Sequence, residues 1–315
     1  MIITVTLNPA VDKTALAPGL TVGHVNRLDG IRLDAGGKGI NASKVIRQLG
    51  GRSVAMGFLG GGAGAFIERA LTEMGISIDF VPIPGETRTN LKLVDPHNKT
   101  YTDLNEPGPE ISADMLQTLE TRLLSKARCG DIVLLAGSVP AGVDDHIYAS
   151  WAGQLKRAGV HVAADLDGER LRRVIAEKPW LIKPNDEELR QLMALPDIEI
   201  PTLANAARTL CRSGVEVVVV SLGARGALFA DKTAVLLARG PAVAVSSTVG
   251  AGDTVTAAML FARESAMSLP QSARLAVGAA TAKVTQQGSS PPLREDIEHY
   301  ARQVTVSVYQ EETEE

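Results

Sequence analysis

Asp253 is the residue with the clearest chemical potential. It lies in the run Ser247-Thr248-Val249-Gly250-Ala251-Gly252-Asp253-Thr254. The alternating apolar residues Ala242 to Val245 before it read as a strand, and Val255 to Ala262 after it read as the start of a helix. A loop of small residues that opens a helix leaves backbone N–H groups unpaired and aimed forward. Together with the helix dipole, those donors bind anions. An acid in the first turn cannot itself hold a phosphate. It is well placed to take a proton from a hydroxyl that attacks one. This spacing therefore points to phosphoryl transfer to an alcohol. The plain alternative is a glycine-rich helix entry with Asp253 as a favourable first-turn acid, because short glycine motifs are weak signals.

Other segments carry residues that suit the same chemistry. Asp34-Ala35-Gly36-Gly37-Lys38-Gly39-Ile40-Asn41 is a second glycine loop opening a helix, this time with a lysine. It is not a Walker A loop, since Gly39 follows the Gly-Lys pair where Ser or Thr is required. It reads either as a close backbone approach to a polyhydroxylated, charged ligand bonded by Lys38 and Asn41, or as a tight turn with a surface lysine. Arg88 and Asn90 stand two apart in an extended run, so they share one strand face. Arginine suits bidentate phosphate recognition and asparagine suits sugar hydroxyls. Asp12 follows the first strand, as a turn former or as a group reaching into a site at a sheet edge. Asn185 and Glu188 fit a capping box at a helix start. Glu188 could equally order waters around Mg²⁺, which prefers oxygen ligands and keeps much of its own water. The loop Gly60-Gly61-Gly62-Ala63-Gly64-Ala65, with Asp79 in the following strand, mimics a dinucleotide fingerprint. The other glycine loops call for a different ligand.

The elements that must position these residues alternate between strands and helices. Strands are expected over Ile2 to Leu7, Ser53 to Leu59, Ile76 to Val81, Ile132 to Ala136, Val160 to Asp165, Trp180 to Lys183 and Val215 to Val220. The last is the most apolar and is expected to be central. Residues 14–34 and the hairpin around His97-Asn98-Lys99 fall outside this rhythm and read as small strands. Bulk properties exclude several functions. The 315 residues suffice for one large core with an appendage, and the composition, 45% apolar and 22% charged, is that of a soluble globular chain. A net charge of -4 and only 3% aromatics give no reason to expect a nucleic acid partner. No apolar run reaches membrane-spanning length, and the first residues do not read as a signal peptide. Cys129 and Cys211 form no metal or disulfide pattern, which fits a reducing compartment and a cytoplasmic protein. The five histidines lack metal-ligand spacing.

Taken in order, TLNPAVD, GGKGIN, ETRTN, LAGSVP, KPNDEE, VSLGARGA and STVGAGDT resemble the PfkB (ribokinase-like) sugar kinases over nearly the whole chain. The first three motifs are most similar to its phosphosugar branch, and ETRTNLKL with YTDLNEPGP looks most like 1-phosphofructokinase. The resemblance implies an α/β fold: a doubly wound, mostly parallel sheet with helices on both faces, in one domain covering residues 1–315. It also implies a small β lid from about residues 13–33 and 87–104 that often makes a homodimer contact. Asp253 would be the catalytic base beside an anion hole of Gly250, Ala251 and Gly252. Asp12, Gly37, Lys38, Asn41, Arg88, Asn90 and Ser138 would bind the phosphosugar. Lys183, Ser221, Gly223 and Gly226 would contact the phosphates of ATP, and Asn185 and Glu188 would act on Mg²⁺ through water. The implied reaction is ATP-dependent phosphorylation of fructose 1-phosphate to the 1,6-bisphosphate. Tagatose 6-phosphate and fructose 6-phosphate are the alternative substrates, and a catalytically silent sugar-phosphate sensor is the alternative role. Asp167 departs from the family pattern, where Ser is usual.

Overall fold

The computed structural model describes residues 1–286, 288 and 290–310. The chain begins with β1 (Ile2–Thr6), β2 (Ala10–Leu16), β3 (Gly30–Gly36), α1 (Lys38–Gln48), β4 (Ser53–Leu59), α2 (Gly61–Glu73) and β5 (Ser77–Pro82). The hairpin β6 (Arg88–Asp95) and β7 (Thr100–Leu104) follows. Next come α3 (Ala113–Lys126), β8 (Ile132–Ala136), α4 (Ile147–Arg157), β9 (His161–Asp165), α5 (Gly168–Ala176), β10 (Leu181–Ile182), α6 (Asp186–Met193) and α7 (Ile200–Ser213). The last third holds β11 (Val217–Ser221), β12 (Ala227–Ala230), β13 (Val235–Arg239), α8 (Ala251–Glu264), α9 (Leu269–Val284), α10 (Arg294–Ala301) and β14 (Thr305–Val308).

The large sheet has the order β14-β13-β12-β11-β10-β9-β8-β1-β4-β5. From β11 to β5 every neighbouring pair is parallel, while β12, β13 and β14 extend it antiparallel. Parallel strands need crossover helices, which bury both faces of the sheet. The alternation of β8 shows the result: Val133 and Leu135 join the core under α3 to α7, while Ile132, Leu134 and Ala136 join the core under α1, α8, α9 and α10. The fold is thus doubly wound α/β with a mostly parallel sheet. No helix among the described residues is long and apolar enough to cross a membrane.

A second sheet of order β3-β2-β6-β7 stands apart from this rhythm. A third core cluster ties it to the body, where Val11 and Ala35 meet Ile40, Ala55, Ile67 and Leu71. Two expectations change. Ala242 to Val245 form no strand but a chain without regular structure leading to α8. Alternating apolar residues cannot make a strand without a hydrogen-bonding neighbour, and the adjoining sheet edge is closed instead by β14. The apolar β11 is fourth of ten strands, where the parallel part of the sheet meets the antiparallel part, rather than at its centre.

Candidate active site

The order of the large sheet reverses between β1 and β8. From β1 the chain proceeds outward through β4 and β5, and from β8 it proceeds the other way through β9, β10 and β11. Such a reversal leaves a crevice beyond the carboxyl ends of the strands. Asp165 ends β9, and Asn8, Ser138 and Lys183 stand just past the ends of β1, β8 and β10. The start of α8 enters the same crevice. Gly250 caps α8 with φ 76°, a left-handed conformation that favours glycine, and no side chain caps the helix. Asp253 lies in the first turn, and Asn41 Nδ2 donates to its Oδ2 at 2.8 Å.

Asp165 gathers the cations. Its Oδ1 accepts from Lys38 Nζ at 2.8 Å, while its Oδ2 accepts from Thr256 Oγ1 at 2.8 Å and lies 3.5 Å from Lys183 Nζ. Lys183 also borders the helix entry, where a Cβ placed on Gly252 would lie 3.1 Å from Nζ. Burial would raise the Asp165 carboxyl, but Lys183 and Lys38 overcome it and hold the group at about 2. Asp253 goes the other way: burial and the Asp165 charge push it above the ordinary carboxylate value, against the Asn41 hydrogen bond, Lys38 and Lys183. Two neighbouring acids thus have opposite tendencies, one a fixed anion and one a proton acceptor.

The other half of the crevice is formed with the small sheet. Arg88 donates to Asn8 O at 2.9 Å and to Glu106 O at 3.0 Å. Asn8 Nδ2 donates to Pro107 O at 3.0 Å and to Ser138 Oγ at 3.4 Å. Asn90 Nδ2 and Lys92 Nζ donate to the two oxygens of Asp12 at 3.3 and 3.0 Å. Thr6 Oγ1, Asn8 Oδ1, Asn41 Oδ1, Arg88 Nε and Asn90 Oδ1 are buried side-chain atoms without a hydrogen-bond partner among the described residues. Unsatisfied buried polar atoms are costly and uncommon. Five gathered in these neighbouring segments mark a place prepared for a polar ligand.

The sequence matches the pattern described as pfkB family carbohydrate kinase over residues 5–296. The chain belongs to the pfkB carbohydrate kinase family. It is 37% identical over 308 residues to a 1-phosphofructokinase of Rhodobacter capsulatus, covering 97% of each chain. It is 39% identical over 279 residues to a 1-phosphofructokinase of Xanthomonas campestris, covering 87% of this chain and 88% of that one. Among solved structures it is similar to phosphofructokinase-2 from Escherichia coli in complex with substrates and products. That match has a TM-score of 0.92 at 28% identity and covers 96% of this chain and 98% of that one.

Within this pfkB chain the residues expected to act together fall into two groups. Lys38, Asn41, Lys183 and Asp253 surround or adjoin Asp165; Asp12, Arg88, Asn90 and Ser138 line the side toward the small sheet. Lys38 thus lies with the first group, bonded across the sheet edge to Asp165. The glycine at 37 has a reason inside the fold, since its Cβ would lie 2.7 Å from Thr6 Cγ2. Asn185 and Glu188 do form the capping box: Asn185 Oδ1 accepts from Glu188 N and Glu188 Oε2 accepts from Asn185 N. Ser221 bridges to Asn185, Gly223 has φ 60° with open space around it, and Gly226 packs against Ala238 O. The Gly60 loop is closed to a dinucleotide phosphate, because Glu86 accepts from Gly62 N at 3.2 Å and from Ala63 N at 2.5 Å. Asp79 is likewise committed, to Arg122 and Lys126. Asp167 pairs with Arg170 on the rim.

Sequence reasoning did not single out Asn8, Lys44, Lys92, Asp165, Thr256 or Lys283 as site residues. Lys44 is buried, donates to Ala35 O at 2.7 Å and is pulled down to about 8 by that burial. Lys283 is likewise lowered to about 8 by burial, with Lys44 adding to the effect. The one signal available was position: Asn8 follows a strand and Asp165 ends one at the edge where sites form. A cavity of about 640 Å³ is elsewhere. Ile132, His161 and Val217 line it at the beginnings of strands, so it lies at the opposite edge of the sheet.

Proposed function

We propose that this chain transfers the γ-phosphoryl group of ATP to a hydroxyl of a phosphosugar, converting fructose 1-phosphate to fructose 1,6-bisphosphate. The observation that carries the reading is Asp253, half-buried in the first turn of an uncapped helix, between the lysines on Asp165 and the unpaired polar atoms near Asp12. The similarity to proteins named 1-phosphofructokinase supports the choice of sugar.

The acceptor hydroxyl lies against Asp253, which takes its proton as the oxygen attacks phosphorus. The raised affinity of this carboxylate for protons suits that task. The bond from the γ-phosphorus to the bridging oxygen of ATP breaks, and ADP leaves with the electron pair. Negative charge developing on the transferring group meets the N–H groups of Gly250 and Gly252 and, on release of its 3.2 Å bond to Thr248 O, that of Ala251, with Lys183 and Lys38 beside them. Arg88, Asn90, Asp12 and Ser138 hold the phosphosugar, and Ser221, Gly223 and Gly226 border the nucleotide. Mg²⁺ fits as a largely hydrated ion. Among the described residues no group of three acidic, histidine or cysteine side chains could hold a metal. Glu188 spends Oε2 on the cap and retains Oε1 for a metal-bound water. When bound, the ion would offset phosphate charge.

In this reading the chain is one kinase domain and the small sheet is its lid. Ile31, Leu33 and Leu104 are exposed on one of its faces, and Val22 and Val25 in the adjoining loop are 94% and 91% exposed. That apolar surface supports a homodimer formed through the lid. Cys129 and Cys211, both free, suit the cytoplasm. The test is release of ADP from Mg-ATP with fructose 1-phosphate, fructose 6-phosphate and tagatose 6-phosphate side by side. A large kcat/KM advantage for fructose 1-phosphate is expected. Preference for another sugar changes the substrate and keeps the chemistry. Tight phosphosugar binding without turnover would leave a sensor and sink the kinase.

A further inference from the structure

Lys92 follows Arg88 and Asn90 along β6 in steps of two, so the three side chains leave the same face of the strand. The parallel register of β6 with β2 sets Asn90 beside Asp12 and Lys92 beside Thr14. Lys92 reaches back one step and donates to Asp12 Oδ2 at 3.0 Å, while Asn90 donates to Oδ1 at 3.3 Å. The carboxylate also lies close over β3, since a Cβ on Gly36 would sit 2.7 Å from Oδ2. The Lys92 and Asp12 side chains are only 15% and 8% exposed, so solvent screens their attraction weakly. Removing one partner of such a pair leaves a poorly solvated charge uncompensated.

The neighbouring cations have other commitments. Arg88 gives its two terminal nitrogens to the carbonyls of Asn8 and Glu106, and Lys38 and Lys183 pair with Asp165. Lys44 and Arg88 also attract Asp12, and Lys92 is a lysine hydrogen-bonded to it, placed to offset its charge when a doubly charged phosphosugar enters a cleft that already holds the Asp12, Asp165 and Asp253 carboxylates. We infer that Lys92 is a positioning residue for the phosphosugar: it anchors and offsets the Asp12 carboxylate, so that Asp12 accepts hydrogen bonds from sugar hydroxyls in a fixed geometry. The inference rests on the proposed kinase reading, in which Asp12 meets the sugar.

Kinetics of four variants test it: Lys92→Met, Lys92→Arg, Asp12→Asn and the Asp12→Asn/Lys92→Met pair. Each is assayed with the best of the three phosphosugars, with KM for sugar and for ATP measured separately and sugar binding followed by calorimetry without nucleotide. Lys92→Met is expected to raise the sugar KM by about tenfold while the ATP KM moves by less than about twofold. Lys92→Arg should restore most of the loss. With Asp12 already neutral, adding Lys92→Met should change the sugar KM by less than about twofold, because the two residues act as one unit. A sugar KM unmoved in Lys92→Met, equal changes in both KM values, or additive effects in the double variant would each overturn the assignment. If Lys92→Met does not fold, the Lys92→Arg kinetics decide, since a retained charge must keep the sugar KM near wild type. A wild-type chain that neither binds nor phosphorylates any of the three sugars removes the kinase reading and Lys92's role with it. An active wild type with an indifferent Lys92 removes only the latter.

Discussion

The chemistry of the proposed site reduces to two acids that share one environment and differ in what surrounds them. Asp165 is ringed by Lys38, Lys183 and Thr256, and Asp253 has Asn41. Replacing Asp253 with Asn keeps the shape and removes the proton acceptor. We expect kcat to fall on the order of a thousandfold, with the ATP KM little changed. Protonating Asp253 has the same consequence, so kcat/KM should fall as pH drops through a value above the ordinary carboxylate range. The Asp165 charge is part of what raises Asp253. Asp165→Asn should therefore move that acid limb to lower pH, which a pH–rate profile of the variant beside wild type would reveal; a limb moved upward would contradict the coupling. Stability follows the other sign. Asp165 is held at about 2, below its ordinary 3.8, so its contribution is present above pH 4 and fades as pH falls from there toward 2.

At the scale of elements, two helix entries do the positioning. The start of α8 presents Asp253, and the start of α1 presents Lys38 and Asn41 through a loop pressed against β1. The closeness to β1 makes Gly39 demanding, since a Cβ there would lie 2.5 Å from Thr6 Oγ1 and 3.0 Å from Val5 O. Gly39→Ala should displace α1 and lower both thermal stability and kcat, as paired melting and activity measurements would show. The start of α6 separates two roles in one motif. Asn185→Ala removes the capping box and should cost about 1 kcal/mol of stability. Glu188→Gln keeps an oxygen for the Asn185 N–H and loses only the charge, so its Tm should stay near wild type while the Mg²⁺ concentration for half-maximal rate rises. Equal Mg²⁺ responses in Glu188→Gln and wild type would leave Glu188 a cap alone.

For the molecule as a whole, the chain reverses its direction of travel across the sheet between β1 and β8, and the residues of the proposed site collect at the crevice this makes. The small sheet carries Arg88, Asn90, Lys92 and Asp12 into that crevice and exposes Ile31, Leu33 and Leu104 on one face. Sedimentation should give twice the monomer mass for the wild type. Ile31→Lys combined with Leu104→Lys should give a monomer and a kcat/KM lower by about tenfold or more, because the lid would lose its support. A variant monomer with full activity would separate the lid from any dimer.

The sequence by itself determined the alternation of strands and helices, because parallel strands buried on both faces read as continuous apolar runs and helix starts announce themselves through glycine and capping residues. It also determined the residues with local signatures: the acid in the first turn of α8, the Arg88–Asn90 pair on one strand face, the Asn185–Glu188 box. Only the tertiary structure decided what those residues face. Lys38 is bonded to a carboxylate 127 positions away, and the charges that set Asp253 arrive from β9, the start of α1 and the segment after β10. Asp165, Asn8 and Lys92 carry no local pattern, since a lone polar residue near a strand end looks like any turn former until its neighbours in space are known. Ala242 to Val245 had the alternation of a strand and no edge to pair with. Sequence spacing states which side chains share an element; the free energy of a buried charge depends on which elements meet.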